Sequence, residues 1–148
     1  MLGKLCKWLR IFGFDVEYTP PDMTDNDILE RCRKNDLWLV TRDKGFRGRY
    51  GKLVMISALD IDSQLKEFLS RFPPDPNKFF TRCPVCNAVL IPRDSSVLAG
   101  LIPEKIMEMH KEVDWCENCK KAFWKGTHYD NMLAYINTII AEVQNAHC

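Results

Sequence analysis

Four of the seven cysteines stand as two pairs, Cys83-Pro84-Val85-Cys86 and Cys116-Glu117-Asn118-Cys119, with 29 residues between them. A C-x-x-C turn aims two sulfurs at one point while its backbone N–H groups face them. Two such turns complete the tetrahedral four-sulfur shell that zinc favours. The spacer is longer than in the compact pattern, and ribbons tolerate insertions between their knuckles. A redox pair would need a single C-x-x-C at a helix N-terminus, whereas both pairs here carry turn formers: Pro84, Asn87 and Asn118. The spacing predicts one structural Zn²⁺ held by Cys83, Cys86, Cys116 and Cys119, a closed shell with no position for substrate. Cys6 and Cys32 lie on apolar helix faces and read as small core residues. Cys148 is terminal and carries no signal.

A second constellation is acidic and basic. Thr41-Arg42-Asp43 follows the apolar run Leu37-Trp38-Leu39-Val40, and Asp25 and Asp27 lie at the start of the helical pattern before it. Ligands of an open α/β sheet collect at the carboxyl ends of its strands, so topology alone brings Asp25 and Asp43 toward one cleft. Carboxylates there suit Mg²⁺ or Mn²⁺, which can activate water against a phosphodiester. Residues 42–52 hold five basic residues, one acid, two aromatic rings and three glycines. That composition predicts a flexible loop suited to a nucleic-acid backbone and its bases. Lys4, Arg42, Lys44, Arg47 and Arg49 are the candidate phosphate contacts, and Phe46 or Tyr50 the candidate stacking ring. Plainer readings stand beside these. Asp25 and Asp27 cap a helix, Asp43 makes a turn, the loop is a solvated hairpin, and Lys4, Lys7 and Arg10 form a wet helix face. His128 could be a ligand or a base, but a lone His is more simply packed or hydrogen-bonded. Trp115 and Trp124 suit the core of the cysteine module.

These groups need elements to position them. Leu2, Leu5, Cys6, Leu9 and Phe12 recur at helical spacing, and Gly13 is a natural stop. Val16 to Tyr18 reads as a short strand. Thr24 and Asp27 have capping-box spacing ahead of Ile28, Leu29 and Cys32. The Leu37 to Val40 run suits a strand buried on both faces of a parallel sheet, and Leu53 to Ile56 is similar. A helix starting at Asp62-Ser63 uses Leu65, Phe68 and Leu69. This rhythm predicts a three-layer α/β domain. Pro73-Pro74-Asp75-Pro76 breaks it and places the boundary: 1–74 for the first domain, 75–132 for the cysteine module with a helical insertion from Pro103, and 133–148 for a C-terminal helix. Ala122 to Trp124 reads as a strand, and Asp130 as the cap of the last helix, with Leu133, Ile136, Ile139, Ile140 and Val143 on its apolar side.

Composition sets the outer bounds. The chain has 148 residues, 46% hydrophobic and 28% charged, which excludes a disordered tail. Lys+Arg of 21 against Asp+Glu of 20 leaves a net charge of +1, so any attraction to nucleic acid must be local. No apolar stretch approaches the ~20 residues of a membrane span. The amphipathic start does not read as a signal peptide, and a cytoplasmic location is expected.

Several stretches together resemble a known family. Met1-Leu2-Gly3-Lys4-Leu5, Trp8-Leu9-Arg10, Gly13-Phe14-Asp15-Val16, Leu39-Val40-Thr41-Arg42-Asp43-Lys44-Gly45 and Gln64-Leu65 occur in order. Arg82-Cys83-Pro84-Val85-Cys86-Asn87, Trp115-Cys116, Cys119 and Phe123-Trp124-Lys125-Gly126-Thr127-His128 complete the series. From Met1 to about Met132, the chain resembles the Mut-seven C-terminal RNase domain. The resemblance implies a PIN-like nuclease fold fused to a zinc ribbon, and a ribonuclease dependent on Mg²⁺ or Mn²⁺. It implies that Asp43 is a metal ligand, that Asp25 is the acid opening the second helix, with Asp27 in reserve, and that the four cysteines bind zinc. Family members usually begin with a strand carrying an aspartate before the segment matched by Met1-Leu2-Gly3. This chain starts at Met1, so the expectation is two visible acids and an apolar gap beside the Leu37 to Val40 strand. The leading expectation is cleavage of single-stranded RNA. The alternatives are a zinc-ribbon module that binds RNA or protein without catalysis, and a redox protein built on the C-x-x-C pairs.

Overall fold

The computed structural model describes residues 2–146. Cys148 lies outside them. The fold is α/β, with a two-stranded parallel sheet, a three-stranded antiparallel sheet and a long C-terminal helix.

Helix α1 (Gly3–Ile11) buries Leu5, Cys6, Leu9 and Ile11. It stops at Gly13, whose φ of +95° is left-handed, and a Cβ there would lie 2.2 Å from the carbonyl oxygen of Lys78. Only glycine lets the two backbones meet so closely. The N–H of Phe80 donates to the Ile11 carbonyl at 2.8 Å, a second tie at the same crossing. Helix α2 (Asp25–Asn35) opens with the predicted capping box, in which Thr24 and Asp27 satisfy each other's backbone N–H.

Strands β1 (Leu39–Thr41) and β2 (Leu53–Met55) pair in parallel, Val40 opposite Val54. Helix α3 (Ile61–Arg71) follows, capped by Asp60, which accepts from the Ser63 N–H at 2.9 Å. The core behind the sheet joins α1, β2, α3 and the last helix through Leu5, Leu9, Phe12, Val54, Leu65, Leu69, Ile136 and Ile139.

The cysteine module is built on β3 (Ile91–Asp94), β4 (Glu112–Cys116) and β5 (Lys121–Phe123), in that order and antiparallel. Pro92 sits in the edge strand β3, where a missing donor costs least and discourages further pairing. Helix α4 (Glu104–Met109) starts after Pro103, as expected of the insertion. Trp115 is buried with Leu98, Ile102 and Val113, and Trp124 packs against them. Helix α5 (Thr127–Ala146) contacts α3 along its length: Tyr135 hydrogen-bonds Asp62, and Lys66 pairs with Glu142.

Four expectations need correction. Val16 to Tyr18 form no strand, because side chains take the backbone groups of Val16. Asn87 Oδ1 accepts its N–H at 3.1 Å, and Arg10 Nε donates to its carbonyl at 2.8 Å. The run from Leu37 to Val40 is not buried on both faces; Leu37 and Trp38 are 37% and 43% exposed. The Trp38 ring packs edge-on to Phe72 instead, with the Arg71 guanidinium 4.8 Å over it. Arg10 is no part of a wet face; it is 8% exposed and donates to the carbonyls of Pro84 and Val85. Asp130 does not cap α5, which begins three residues earlier and carries it in its first turn.

Candidate functional site

The four cysteines converge. Their sulfurs all lie within 4.8 Å of one another, with Cys83 to Cys119 at 3.9 Å and Cys86 to Cys116 at 3.5 Å. A tetrahedron with Zn–S of about 2.3 Å has S···S edges of about 3.8 Å, so the arrangement fits zinc. The two knuckles fold alike. The Asn87 N–H donates to the Cys83 carbonyl at 2.9 Å, and the Lys120 N–H to the Cys116 carbonyl at 2.8 Å. Asn87 and Lys120, each following its second cysteine, have φ of 73° and 54°, a left-handed turn uncommon outside glycine.

Cys83 and Cys116 are fully buried. Burial acts to raise the Cys86 thiol, but hydrogen bonds from the Asn118 side chain, the Ala88 backbone and the Cys116 and Cys119 thiols bring it down to about 6. Cys119 is pushed up to about 12, first by its hydrogen bond to Cys86 and then by burial, and burial also raises Cys83. Cys86 thus releases its proton readily, while Cys119, hydrogen-bonded to it, resists losing its own. A divalent cation reverses that resistance.

A clasp joins this module to α1. Besides its bonds to Val16, Pro84 and Val85, Arg10 neighbours a second set of contacts. Asn87 Nδ2 donates to Asp15 Oδ1 at 2.6 Å, Arg82 donates to the Asn87 carbonyl at 3.0 Å, and Arg82 lies 3.7 Å from Asp15 Oδ2.

Of the candidate acids, Asp43 lies just past the carboxyl end of β1. Asp43 directly precedes a short 3-10 turn (Lys44–Phe46) and caps it, Oδ1 accepting from the Gly45 N–H at 2.8 Å. Its Oδ2 accepts no hydrogen bond among the described residues. Asp25 opens α2 and is half exposed; Arg49 stands 3.5 Å from its Oδ2 and donates to Asn26 Oδ1 at 2.8 Å. Arg49 therefore ties the loop carrying Asp43 to the helix start carrying Asp25. Asp27 Oδ2 accepts from the Thr24 N–H at 3.2 Å and hydroxyl at 2.6 Å, so this carboxylate serves the capping box. Those bonds, led by the Thr24 hydroxyl, hold Asp27 below its ordinary value. Among the described residues Asp25, Asp27 and Asp43 do not form a three-carboxylate cluster; the four cysteines are the group in mutual ligand reach.

The basic loop is anchored rather than flexible. Phe46 is buried, 4% exposed, with the Arg49 guanidinium 5.7 Å over its ring. Tyr50 donates to the carbonyls of Cys32 and Leu37, and Arg33 holds the Arg49 carbonyl at 2.8 Å. The Phe46 ring is therefore no stacking platform, and Tyr50 has its hydroxyl committed to backbone carbonyls. Lys4, Lys44 and Arg47 are exposed, whereas Arg42 is half-buried with its Nε enclosed and unpartnered.

Glu67 was not singled out by sequence reasoning. From α3 it accepts the N–H groups of Ser57 and Ala58 and the Ser57 hydroxyl, pinning the loop that leaves β2. Burial raises its carboxyl, but those bonds, helped by the charge of Arg42, hold it below the ordinary value. Only its α3 position hinted at this: it falls two residues past Leu65, off the apolar stripe. His128 is exposed in the first turn of α5.

Residues 1–136 match the family model described as Mut7-C: Mut7-C RNAse domain. No curated protein and no solved structure matches the chain.

Proposed function

This chain belongs to the Mut7-C RNase domain family, and from that premise we propose that it is a PIN-like, metal-dependent ribonuclease acting on single-stranded RNA. The observation that carries the reading is the family match over residues 1–136, which includes Asp43 and all four cysteines. The position of Asp43 at the carboxyl end of β1, with one oxygen free, supports it. Mg²⁺ is commonly held by one or two carboxylates, with waters and substrate phosphate completing the shell; Asp43 and Asp25 are a donor set of that kind. The ion, when bound, supplies an activated water and neutralises charge at phosphorus. Asp43 and Asp25 hold it, and Asp27 is left to the capping box. Lys4, Lys44 and Arg47 offer exposed cations to the RNA backbone, and Arg42 and Arg49 add charge on the loop that carries Asp43. The closed four-sulfur site braces the fold through a structural Zn²⁺.

The test is RNA cleavage in Mn²⁺ by this chain and its Asp43→Asn variant. Loss of a metal ligand worth several kcal/mol predicts a fall of at least about 100-fold, and chelation of Mn²⁺ abolishes the activity.

A second reading is favoured by one observation: Arg49 neutralises Asp25 and the capping box engages Asp27, so two of three candidate acids are already committed. The chain would then bind RNA without cutting it. Salt-sensitive binding with no cleavage by either protein selects that reading.

A further inference from the structure

We propose that Arg49 is a displaceable guard on Asp25: it occupies the carboxylate when RNA is absent, and an RNA phosphate draws it away so that a divalent cation can bind. This rests on the reading of Asp25 as a ligand of the catalytic ion and adds its regulation.

The geometry is that of a contact made to exchange. Arg49 reaches Asp25 Oδ2 at 3.5 Å, the long end of an ion pair, while its better bond, 2.8 Å, goes to neutral Asn26. Both side chains of the pair are open to solvent, 37% and 52% exposed. Such a pair is weak and screened by salt. The loop backbone stays fixed, because Arg33 holds the Arg49 carbonyl and Phe46 is buried beneath the guanidinium. Only the side chain must swing. A phosphate offers the planar guanidinium a bidentate, charge-assisted partner, better than one distant carboxylate oxygen. A cation and a guanidinium compete for the same negative charge, so removing either strengthens the other's hold on its remaining partner. Thermodynamic linkage makes the coupling reciprocal.

Two titrations of the full chain test this, each on the wild type, Arg49→Gln, Asp25→Asn and the double variant. In the first, Mn²⁺ alone is followed by electron paramagnetic resonance without RNA. Arg49→Gln should bind Mn²⁺ about two- to five-fold more tightly, the range expected for an exposed ion pair, and Asp25→Asn should weaken binding in both backgrounds. In the second, a single-stranded RNA oligonucleotide is titrated in chelator. Asp25→Asn should tighten RNA binding by freeing Arg49, and that gain should vanish when Arg49 is already Gln. Equal Mn²⁺ affinity in wild type and Arg49→Gln, with Asp25→Asn still weakening both, overturns the guard and leaves the metal site standing. Mn²⁺ affinity untouched by Asp25→Asn overturns the guard together with the assignment of Asp25 as a ligand.

Discussion

Single residues at the seams carry more than their types suggest. Arg10 satisfies three carbonyls, two on the first cysteine knuckle and one on the segment after α1. Its charge is therefore spent inside the molecule. Removing charged hydrogen bonds from a buried site predicts that Arg10→Ala costs about 3 kcal/mol, read from urea denaturation. Lys7→Ala, on the exposed face of the same helix, should stay within about 0.5 kcal/mol. Phe46 teaches the converse. It lies in a loop whose composition suits nucleic acid, yet its ring is core. Phe46→Ala should lower stability by about 3 kcal/mol or more, a loss read by thermal unfolding in the absence of RNA.

At the scale of elements, caps and loop ties decide where the site stands. The capping box fixes the start of α2 and so the position of Asp25. Thr24→Ala should cost about 1 kcal/mol of stability. Glu67 does the same work for the loop after β2. Its folded pKa lies below the unfolded value, so its contribution is fully present above the unfolded pKa of about 4.3. That contribution drains away as pH falls through the lower, folded value. The urea midpoint of the wild type should therefore drop more steeply between pH 6 and pH 3, about this window, than that of Glu67→Gln. Parallel pH curves for the two proteins would refute the assignment. The basic loop belongs to this scale too. Glycines at 45, 48 and 51 suggest freedom, but Arg33, Tyr50 and Phe46 anchor the loop at three points.

Across the whole molecule, the cysteine module and the first core form one mechanical unit. Asn87 directly follows a cysteine of the cluster and bonds both Asp15 and Val16, while Phe79, Phe80 and α5 pack on the core of α1 and α3. The Trp8 and Tyr135 rings meet at 4.7 Å across that packing. With zinc held by the four sulfurs as proposed, its removal should reach beyond the cysteine module: once the knuckle unfolds, Arg10, Asp15 and Val16 lose their partners. The expected outcome is a lower melting temperature for the α-helical signal in circular dichroism after chelation, restored by adding Zn²⁺. A helical signal that melts at the same temperature with and without metal would show the two parts to be uncoupled. Among the described residues no helix is long and apolar enough to cross a membrane.

Much of this was legible in the residues themselves. Two C-x-x-C turns announce a four-sulfur cluster because each turn is a local structure and the chemistry needs only that both close on one point. The capping box, the stop at Gly13 and the apolar faces of α1, α3 and α5 are local too, set by spacing and by φ. What only the tertiary structure decided is what stands opposite each of these. Periodicity marks Leu5, Leu9 and Phe12 as inward but does not say that Ile136 and Ile139, more than 120 residues away, will meet them. Charge makes Arg10 look solvated, and only the arrival of the Pro84 and Val85 carbonyls buries it. Val16 to Tyr18 has the residues of a strand, yet Asn87 and Arg10 reach its backbone first. An acid's type and position nominate Asp25 and Asp43, but a carboxylate's partner is chosen in three dimensions, and for Asp25 the fold chose Arg49.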